Sequence, residues 1–318
     1  MVSNIIKGAF NFIRENYNEP YAWRRAIAQR NAHLQKAKRD ECVDVMEEDW
    51  DNLFVLDACR TDLFEETINT ESFSNYEHRT SLGSLTPEWT KNNFDDNRYG
   101  DTVYVSGNPW ISKIAGNTFY DLVEVWTKSF DNRLWTVHAD DIYKAAIGNY
   151  QEDKRLIVHF MQPHPPFIRE VNGSLESALG HESAHWRPAR IMEDSQKGVY
   201  NIWHALGRGE LNHQSVWNAY KANLEYVYEY AIDLAMEIPG KTVITSDHGI
   251  LMGERLRPIP IKAFGHPYGV RHKRLTEVPW AVVEGKRRDI SATSQETENH
   301  DVNNEVVTDR LKKLGYAE

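Results

Sequence analysis

Apolar residues along this chain fall into two patterns. Five runs are almost continuously apolar over four to six residues: "NLFVLDA" (52–58), "TVYVSGNP" (102–109), "RLIVHFMQPH" (155–164), "KTVITSDHG" (241–249) and "VPWAVVE" (278–284). Strands covered on both faces read this way, because neither face needs to alternate with water. Between the runs, "DDIYKAAIGNY" (140–150) and "VWNAYKANLEYVYEYAIDLAMEI" (216–238) repeat apolar positions at the helical period. Strands alternating with helices predict an α/β fold, a mostly parallel central sheet with helices on both faces.

The flanks read differently. Residues 1–45 predict a helical N-terminal arm, with Ile5, Ile6, Ala9, Phe10 and Ile13 near helical spacing and Lys7 and Arg14 among them. A second, basic helical stretch, "YAWRRAIAQRNAHLQKAKR", follows Pro20. We read the arm as docked on the domain; peripheral membrane contact through it is the alternative. Residues 46–318 form the main domain in this reading. Near its end, "RRDISATSQETENHDVNN" (287–304) reads as a surface loop and "NEVVTDRLKKLGYAE" as a closing helix.

Composition narrows the classes. With 318 residues, 41% hydrophobic and 26% charged, the chain can fill one large α/β core or two small ones and is not a disordered polymer. A formal net charge of −10 argues against nucleic acid as a partner. Cys42 and Cys59 are the two cysteines, too few for a disulfide framework or a four-thiolate zinc site. No apolar run reaches the length of a membrane span, and the N-terminus shows neither an uninterrupted apolar stretch nor a small-residue cleavage site. The expected compartment is therefore the cytoplasm.

Chemistry collects where the strands stop. In open α/β sheets ligands bind beyond the carboxyl ends of the strands. Here the first run ends at Asp57, the third leads to His164, and the fourth ends at Asp247 and His248. One acid at a strand end is usually structural, but three such endings on one rim suit a divalent ion held by carboxylate and imidazole. Between the first two runs, "SLGSLTPEWTKNNF" (81–94) reads as a helix start, with Thr86 as N-cap and Pro87 at the first helical position. Thr86 either only caps that helix or uses it as an anion site, where a metal-bound hydroxyl could attack phosphorus.

Taken in order, these segments resemble the alkaline phosphatase superfamily in its sulfatase-like branch. "VLDACRTDLF" is similar to that branch's opening strand with an acidic metal ligand and a following Arg. "HFMQPHPPF" resembles its central His-x-Pro segment, and "TSDHGILMGE" its Asp-His-Gly segment. "GHPYGVRHKRLTEVPW" (265–280) resembles the late His segment, and "DRLKKLGYAE" the usual ending, so the likeness spans residues 50–318. It implies an alkaline phosphatase-like fold for 46–318, with 165–215 as a variable insertion near the pocket. It implies Asp57, Asp247, His248 and Thr86 as metal ligands, with Thr86 also the nucleophile and Ser84 its rival. It places His164 and His266 on the transferred group or on a second metal, and gives Arg60 the task of orienting Asp57 or pairing with substrate oxygens. Arg60 has a plainer alternative, a salt bridge to Asp62, and His159, inside its strand, reads as a satisfied core histidine.

Departures from the branch sharpen the function. Formylglycine sulfatases carry a Cys/Ser-x-Pro-x-Arg signature, but here Leu85 and Trp89 occupy its first and last positions. "LTPEW" is closer to threonine-nucleophile members that act on phosphate esters. Gln162 stands before the His164 segment, where two-metal members often carry a further acid, so one divalent ion (Zn, Mn, Mg or Ca) is expected rather than two. The expected function is a metal-dependent hydrolase or transferase of phosphate esters, with a small-molecule or glycan ester as substrate. The alternatives are a sulfate-ester hydrolase lacking formylglycine and a degenerate, non-catalytic glycan-binding member. Trp110, Arg271, Lys273 and Arg274 are expected near the pocket. "HESAH" (181–185) fits a zinc-protease helix pattern, but Gly180 precedes it and Pro188 follows closely, so we read it as part of a surface insertion.

Overall fold

In the computed structural model, residues 20–34, 41–94, 97–179, 202–291 and 304–314 are described. Their centre is a seven-stranded sheet. Its strands are β1 (Asn52–Leu56), β2 (Asn75–Thr80), β3 (Tyr99–Ser106), β4 (Phe119–Glu124), β5 (Arg155–Phe160), β6 (Thr242–Thr245) and β7 (Glu277–Val283). They lie in the order β2-β7-β6-β1-β5-β3-β4. The five strands from β6 to β4 run parallel, whereas β7 pairs antiparallel with both β6 and β2. The sheet is thus mostly parallel, as the apolar runs predict.

Side chains leave a strand on alternate faces, and the core divides accordingly. Phe54 and Leu56 of β1 join one apolar cluster with Val103, Val105, Leu156, Val158 and Ile244. Leu53 and Val55 join another with Tyr104, Ile157, Val243 and Val282. Both faces are covered. Helices α5 (Ala139–Gly148) and α6 (His213–Glu237) pack on the first, the latter through Val216, Tyr220, Leu224, Val227, Ala231 and Leu234. That spacing of three or four is what puts one stripe of a helix in the core, and each buried aliphatic side chain contributes about 1.5–3 kcal/mol relative to exposure. Helices α3 (Thr86–Phe94) and α4 (Pro109–Ala115) cover the second face through Trp89, Phe94, Ile111 and Ala115. Asn212 caps α6 by accepting from Gln214 N and Ser215 N at 2.8 and 3.2 Å.

From Pro20 to Leu34 the arm is a helix, α1, and a short helix, α2 (Thr61–Thr67), follows β1. Ala28 is buried in a third cluster with Leu251, Leu256, Ala263, Val270 and Leu275, and Asn31 exchanges two hydrogen bonds of 2.9 Å with the backbone of Ile259. That part of the arm docks against the hairpin Leu251–Arg255/Lys262–Gly265. The stretch around Ile5 to Ile13 lies outside the described residues, as do the "HESAH" segment and most of the 287–304 loop. The closing helix, α7, runs Asn304–Lys313.

Two polar strands and a hairpin are among the features that escape the sequence reading. β2 ("NYEHRT") and β4 ("FYDLVE") are too polar to show an apolar run. Both are edge strands, which have one neighbour and tolerate water on the other side. A hairpin, Ile168–Val171/Ser174–Ser177, lies within 165–215. Its Asn172-Gly173 turn has φ of 52° and 75°, the left-handed pair that an Asn-Gly dipeptide favours, so a local signal for it was present.

Candidate active site

Four neighbouring parallel strands deliver polar side chains to one rim. β1 ends at Leu56 and presents Asp57; β6 ends at Thr245 and presents Asp247 and His248; β5 leads through a short loop to His164; β3 leads to Asn108. Asp57, Asp247 and His248 are fully buried. One ligand atom from each lies within 4.8 Å of the others.

The backbone of the rim locks these groups in place. Ala58 N and His248 N both donate to Asp247 Oδ1 at 2.9 Å. Cys59 N donates to Ser246 Oγ at 2.8 Å, and that hydroxyl donates to His248 O at 2.7 Å. The turns after β1 and β6 are therefore stitched together, with Ala58 held at φ 60°, a left-handed conformation that is unfavourable for alanine. Tyr220 Oη of α6 donates to Ala58 O and accepts from Arg60 N. Gly249 completes the Asp-His-Gly segment because a Cβ there would sit 2.2 Å from Arg274 O.

Burial pushes the Asp247 carboxyl up, but His248, His159, the Ala58 N–H and the Thr86 hydroxyl outweigh it and hold it below the usual carboxylate range. His248 Nδ1 donates to Gly249 O at 2.8 Å, which turns Nε2 towards Asp247 Oδ2 at 3.4 Å and Asp57 Oδ1 at 3.8 Å. Asn108 Nδ2 donates to Asp57 Oδ2 at 2.7 Å while its Oδ1 accepts from Trp110 N at 3.0 Å. Asn108 is thus both the N-cap of α4 and a support for Asp57. It was missed in the sequence because its partner is 51 residues away.

Thr86 reaches the same cluster from α3, but not as the N-cap that its sequence suggests. Trp89 N bonds to Leu85 O at 3.0 Å, so Leu85 stands at the cap and Thr86 is the first helical residue. Its hydroxyl donates instead to Asp247 Oδ2 at 2.8 Å and lies 3.4 Å from His248 Nε2. Glu88 folds back onto the residue before the cap, accepting from Ser84 N and Ser84 Oγ at 2.8 Å each. Ser84 Oγ also accepts from Gly269 N at 3.0 Å. Its hydroxyl is thereby turned away from the carboxylate cluster.

The remaining candidates divide. His164 Nδ1 donates to Pro165 O at 2.6 Å, leaving Nε2 3.3 Å from His266 Nε2. The His266 ring centre lies 5.1 Å from that of His248. Burial, with His248 beside it, pushes the His266 imidazole down to about 3, and burial with His266 and His248 pushes His164 well below the ordinary range. Both rings are neutral at pH 7. Arg60 does not join them. Its guanidinium is bidentate with Asp62 at 2.8 Å and bonds Glu254 Oε1 at 2.7 Å and Ile250 O at 2.9 Å, the plainer of its two expected roles. Among the residues expected at the pocket, Arg271 bonds Glu88 at 2.8 Å, Arg274 pairs with Asp62 at 3.0 Å, and Lys273 with Glu277 at 3.2 Å. His159, at first sight a plain core residue, lies against the site: its Nε2 is 3.8 Å from Asp57 Oδ2.

No family model and no curated protein matches the chain. Solved structures do. The integral membrane lipooligosaccharide phosphoethanolamine transferase EptA of Neisseria meningitidis is 13% identical, with a TM-score of 0.48 over 89% of this chain; the chain spans 59% of that protein. The C-terminal periplasmic domain of EptC from Escherichia coli, in complex with Zn, is 12% identical with a TM-score of 0.42, covering 75% of each chain. A protein of the alkaline phosphatase superfamily from Vibrio parahaemolyticus is 12% identical with a TM-score of 0.41, covering 84% of this chain and 69% of its own.

The cytoplasmic expectation is overturned by this comparison, since one of these proteins is an integral membrane protein and another a periplasmic domain. It had rested on the lack of a recognisable export signal. Among the described residues no helix is long and apolar enough to cross a membrane.

Proposed function

We propose that this protein is a metal-dependent hydrolase or transferase of phosphate esters in which Thr86 is the nucleophile. The observation that carries this reading is the place of one hydroxyl. Thr86 Oγ1 lies 2.8 Å from Asp247 Oδ2 and 3.4 Å from His248 Nε2, beside the Asp57, Asp247 and His248 cluster. An N-cap threonine would accept from N–H groups of its first turn, but Thr86 stands one residue past the cap and its hydroxyl donates elsewhere. It donates to a buried carboxylate and lies beside a buried imidazole.

The donor set suits a divalent ion. Asp57, Asp247, His248 Nε2 and Thr86 Oγ1 would hold it, with zinc or manganese favoured by the mix of oxygen and nitrogen. Nδ1 of His248 is already engaged with a carbonyl, as ligating histidines generally are. When bound, such an ion neutralises the two carboxylates, lowers the pKa of the hydroxyl and polarises a phosphoryl oxygen.

The chain's own residues do the rest. Asp247 holds Thr86 Oγ1 in one orientation. As the bond from Oγ1 to phosphorus forms, the Oγ1–H proton passes to Asp247 Oδ2 and the bond to the leaving oxygen breaks in line, that oxygen taking a proton from water; water or an acceptor hydroxyl then takes the phosphoryl group and Oγ1 regains its proton. His164 Nε2 is an acceptor, because Nδ1 carries the hydrogen donated to Pro165. His266 Nε2 lies 3.3 Å from that nitrogen, and the two rings together line the place of the transferred group. The substrate is a small or glycan-borne phosphate ester.

The test is turnover of phosphate monoesters, diesters and sulfate esters by folded variants. Thr86→Ala should lower the rate by roughly a thousandfold or more. Thr86→Ser should keep part of it, and Ser84→Ala most of it. Phosphothreonine at Thr86, caught by mass spectrometry after rapid quenching, is the expected intermediate. Normal turnover by Thr86→Ala, or preference for sulfate esters, would sink the reading.

A further inference from the structure

An imidazole in the middle of an apolar strand calls for a physical reason. His159 lies inside β5 and is fully buried. Its Nδ1 is 2.8 Å from the hydroxyl of Tyr104, which stands on the adjacent strand β3 and is also fully buried. Its Nε2 is 3.8 Å from Asp57 Oδ2, and the ring packs edge-on to Trp89 with centroids 5.8 Å apart.

We propose that Tyr104 and His159 form a second layer behind Asp57 that fixes this carboxylate as a metal ligand. The inference rests on the reading that Asp57 helps to hold a divalent ion. Its core is a choice of tautomer. Either the Tyr104 hydroxyl donates to Nδ1 and Nε2 carries the hydrogen, or Nδ1 donates to the tyrosine and Nε2 presents a lone pair. The second choice would aim a lone pair at carboxylate oxygen; the first aims an N–H. Asp57 therefore selects the Nε2–H form, and Tyr104 is the acceptor's partner that locks it. At 3.8 Å the contact is a charge–dipole attraction, longer than a hydrogen bond.

The same oxygen takes a 2.7 Å bond from Asn108 Nδ2. Oδ2 is thus bonded by Asn108 and approached from behind by His159, while Oδ1 faces His248 Nε2 at 3.8 Å. Tyr104 and Asn108 both come from β3 or the turn that ends it, so one strand supports Asp57 twice. Tyr104 and His159 are positioning residues. Outer partners of metal ligands commonly change metal affinity by about 10- to 100-fold when removed.

Two measurements on the full-length protein test this. In metal-free protein labelled with ¹⁵N-histidine, one neutral imidazole should show its hydrogen on Nε2, assigned to His159 by its disappearance in His159→Gln. Tyr104→Phe should redistribute that hydrogen between the two nitrogens. A His159 protonated on Nδ1 would overturn the inference whatever the metal does. Second, the dissociation constant for Mn²⁺ or Zn²⁺, measured by chelator competition, should rise by about tenfold in Tyr104→Phe. The tyrosine ring remains as phenylalanine against Phe94 and Phe119, so folding should persist, and the melting temperature without metal checks it. Wild-type affinity in folded Tyr104→Phe overturns the inference while leaving the metal reading intact. Asp57→Asn is the control: if it binds metal as tightly as wild type, the metal reading fails and the inference falls with it.

Discussion

Strand β1 carries a buried carboxylate at each end, and the two are treated in opposite ways. At its start, Asp51 Oδ2 accepts from Lys241 N at 2.8 Å and pairs with Arg287 Nε at 3.3 Å. Around it, Arg288 bonds the backbone oxygens of Asp51, Gln151 and Lys154 and packs over Tyr150, while the buried Lys154 ammonium bonds Asp153 and Ser291. At its end, Asp57 is met by Asn108 and by the imidazoles of His159 and His248, with Asp247 close by. A buried acid balanced by the chain's own guanidinium is finished as structure. In the proposed reading, two buried acids among imidazoles make a site whose charge balance a cation from outside would complete.

The largest expected effect breaks the comparison at its active end. Asp57→Asn and Asp247→Asn should each abolish stoichiometric metal in elemental analysis and lower ester turnover by roughly a thousandfold or more. Asp51→Asn should leave metal content and turnover within a few-fold of wild type and instead lower stability by about 1–3 kcal/mol in urea unfolding. If Asp51→Asn lost its metal, the division between the two ends would be wrong.

A second prediction uses the same contrast without metal. Asp57→Asn relieves repulsion between two buried carboxylates, so in chelator the variant should melt at or above the wild-type temperature. A large drop would mean that Asp57 is held by the fold in its charged form and needs no ion.

The third concerns pH. His266 is pushed down to about 3 and His159 to about 4, against an ordinary value of 6.5. Between those limits the unfolded chain binds protons that the folded one excludes, so stability rises with pH there. Metal-free protein should therefore lose stability progressively as pH falls from 6.5 towards 4. Asp247, held below its ordinary value, adds a loss only at still lower pH. Melting temperatures measured across that range check the sign; a flat profile would show that these rings are hydrated and not buried.

The smallest effect is expected outside the described residues. Glu182→Gln, in the "HESAH" segment, should leave ester turnover within a few-fold, and a loss comparable to that of Asp247→Asn would give the segment a catalytic part.

Much of this was legible in the chain. The four inner strands and β7 show as apolar runs because burial on both faces forbids alternation, and the acids and histidines that follow them mark the rim. Thr86 could be picked out by its Thr-Pro-Glu start, although for a mistaken reason: Leu85 holds the cap and the hydroxyl turns to Asp247. Arg60 shows the opposite failure. Its place after Asp57 suggests a catalytic partner, yet its side chain is engaged with Asp62 and Glu254. Sequence neighbours on a tight turn point in different directions, and periodicity carries no information about which.

By itself, then, the sequence determined the inner strands, the two main helices and the residue types at the strand ends, because each depends on local burial and local chemistry. Strand order was decided only in three dimensions. That order sets β1 between β6 and β5, with β3 beyond, and so brings Asp57 to Asp247, 190 positions on, and to Asn108 and His159. It also admits the polar strands β2 and β4 at the edges, where a missing neighbour removes the demand for apolar side chains. The physical reason is that contacts between distant segments depend on how whole elements pack, and a pattern read over a dozen residues cannot contain them.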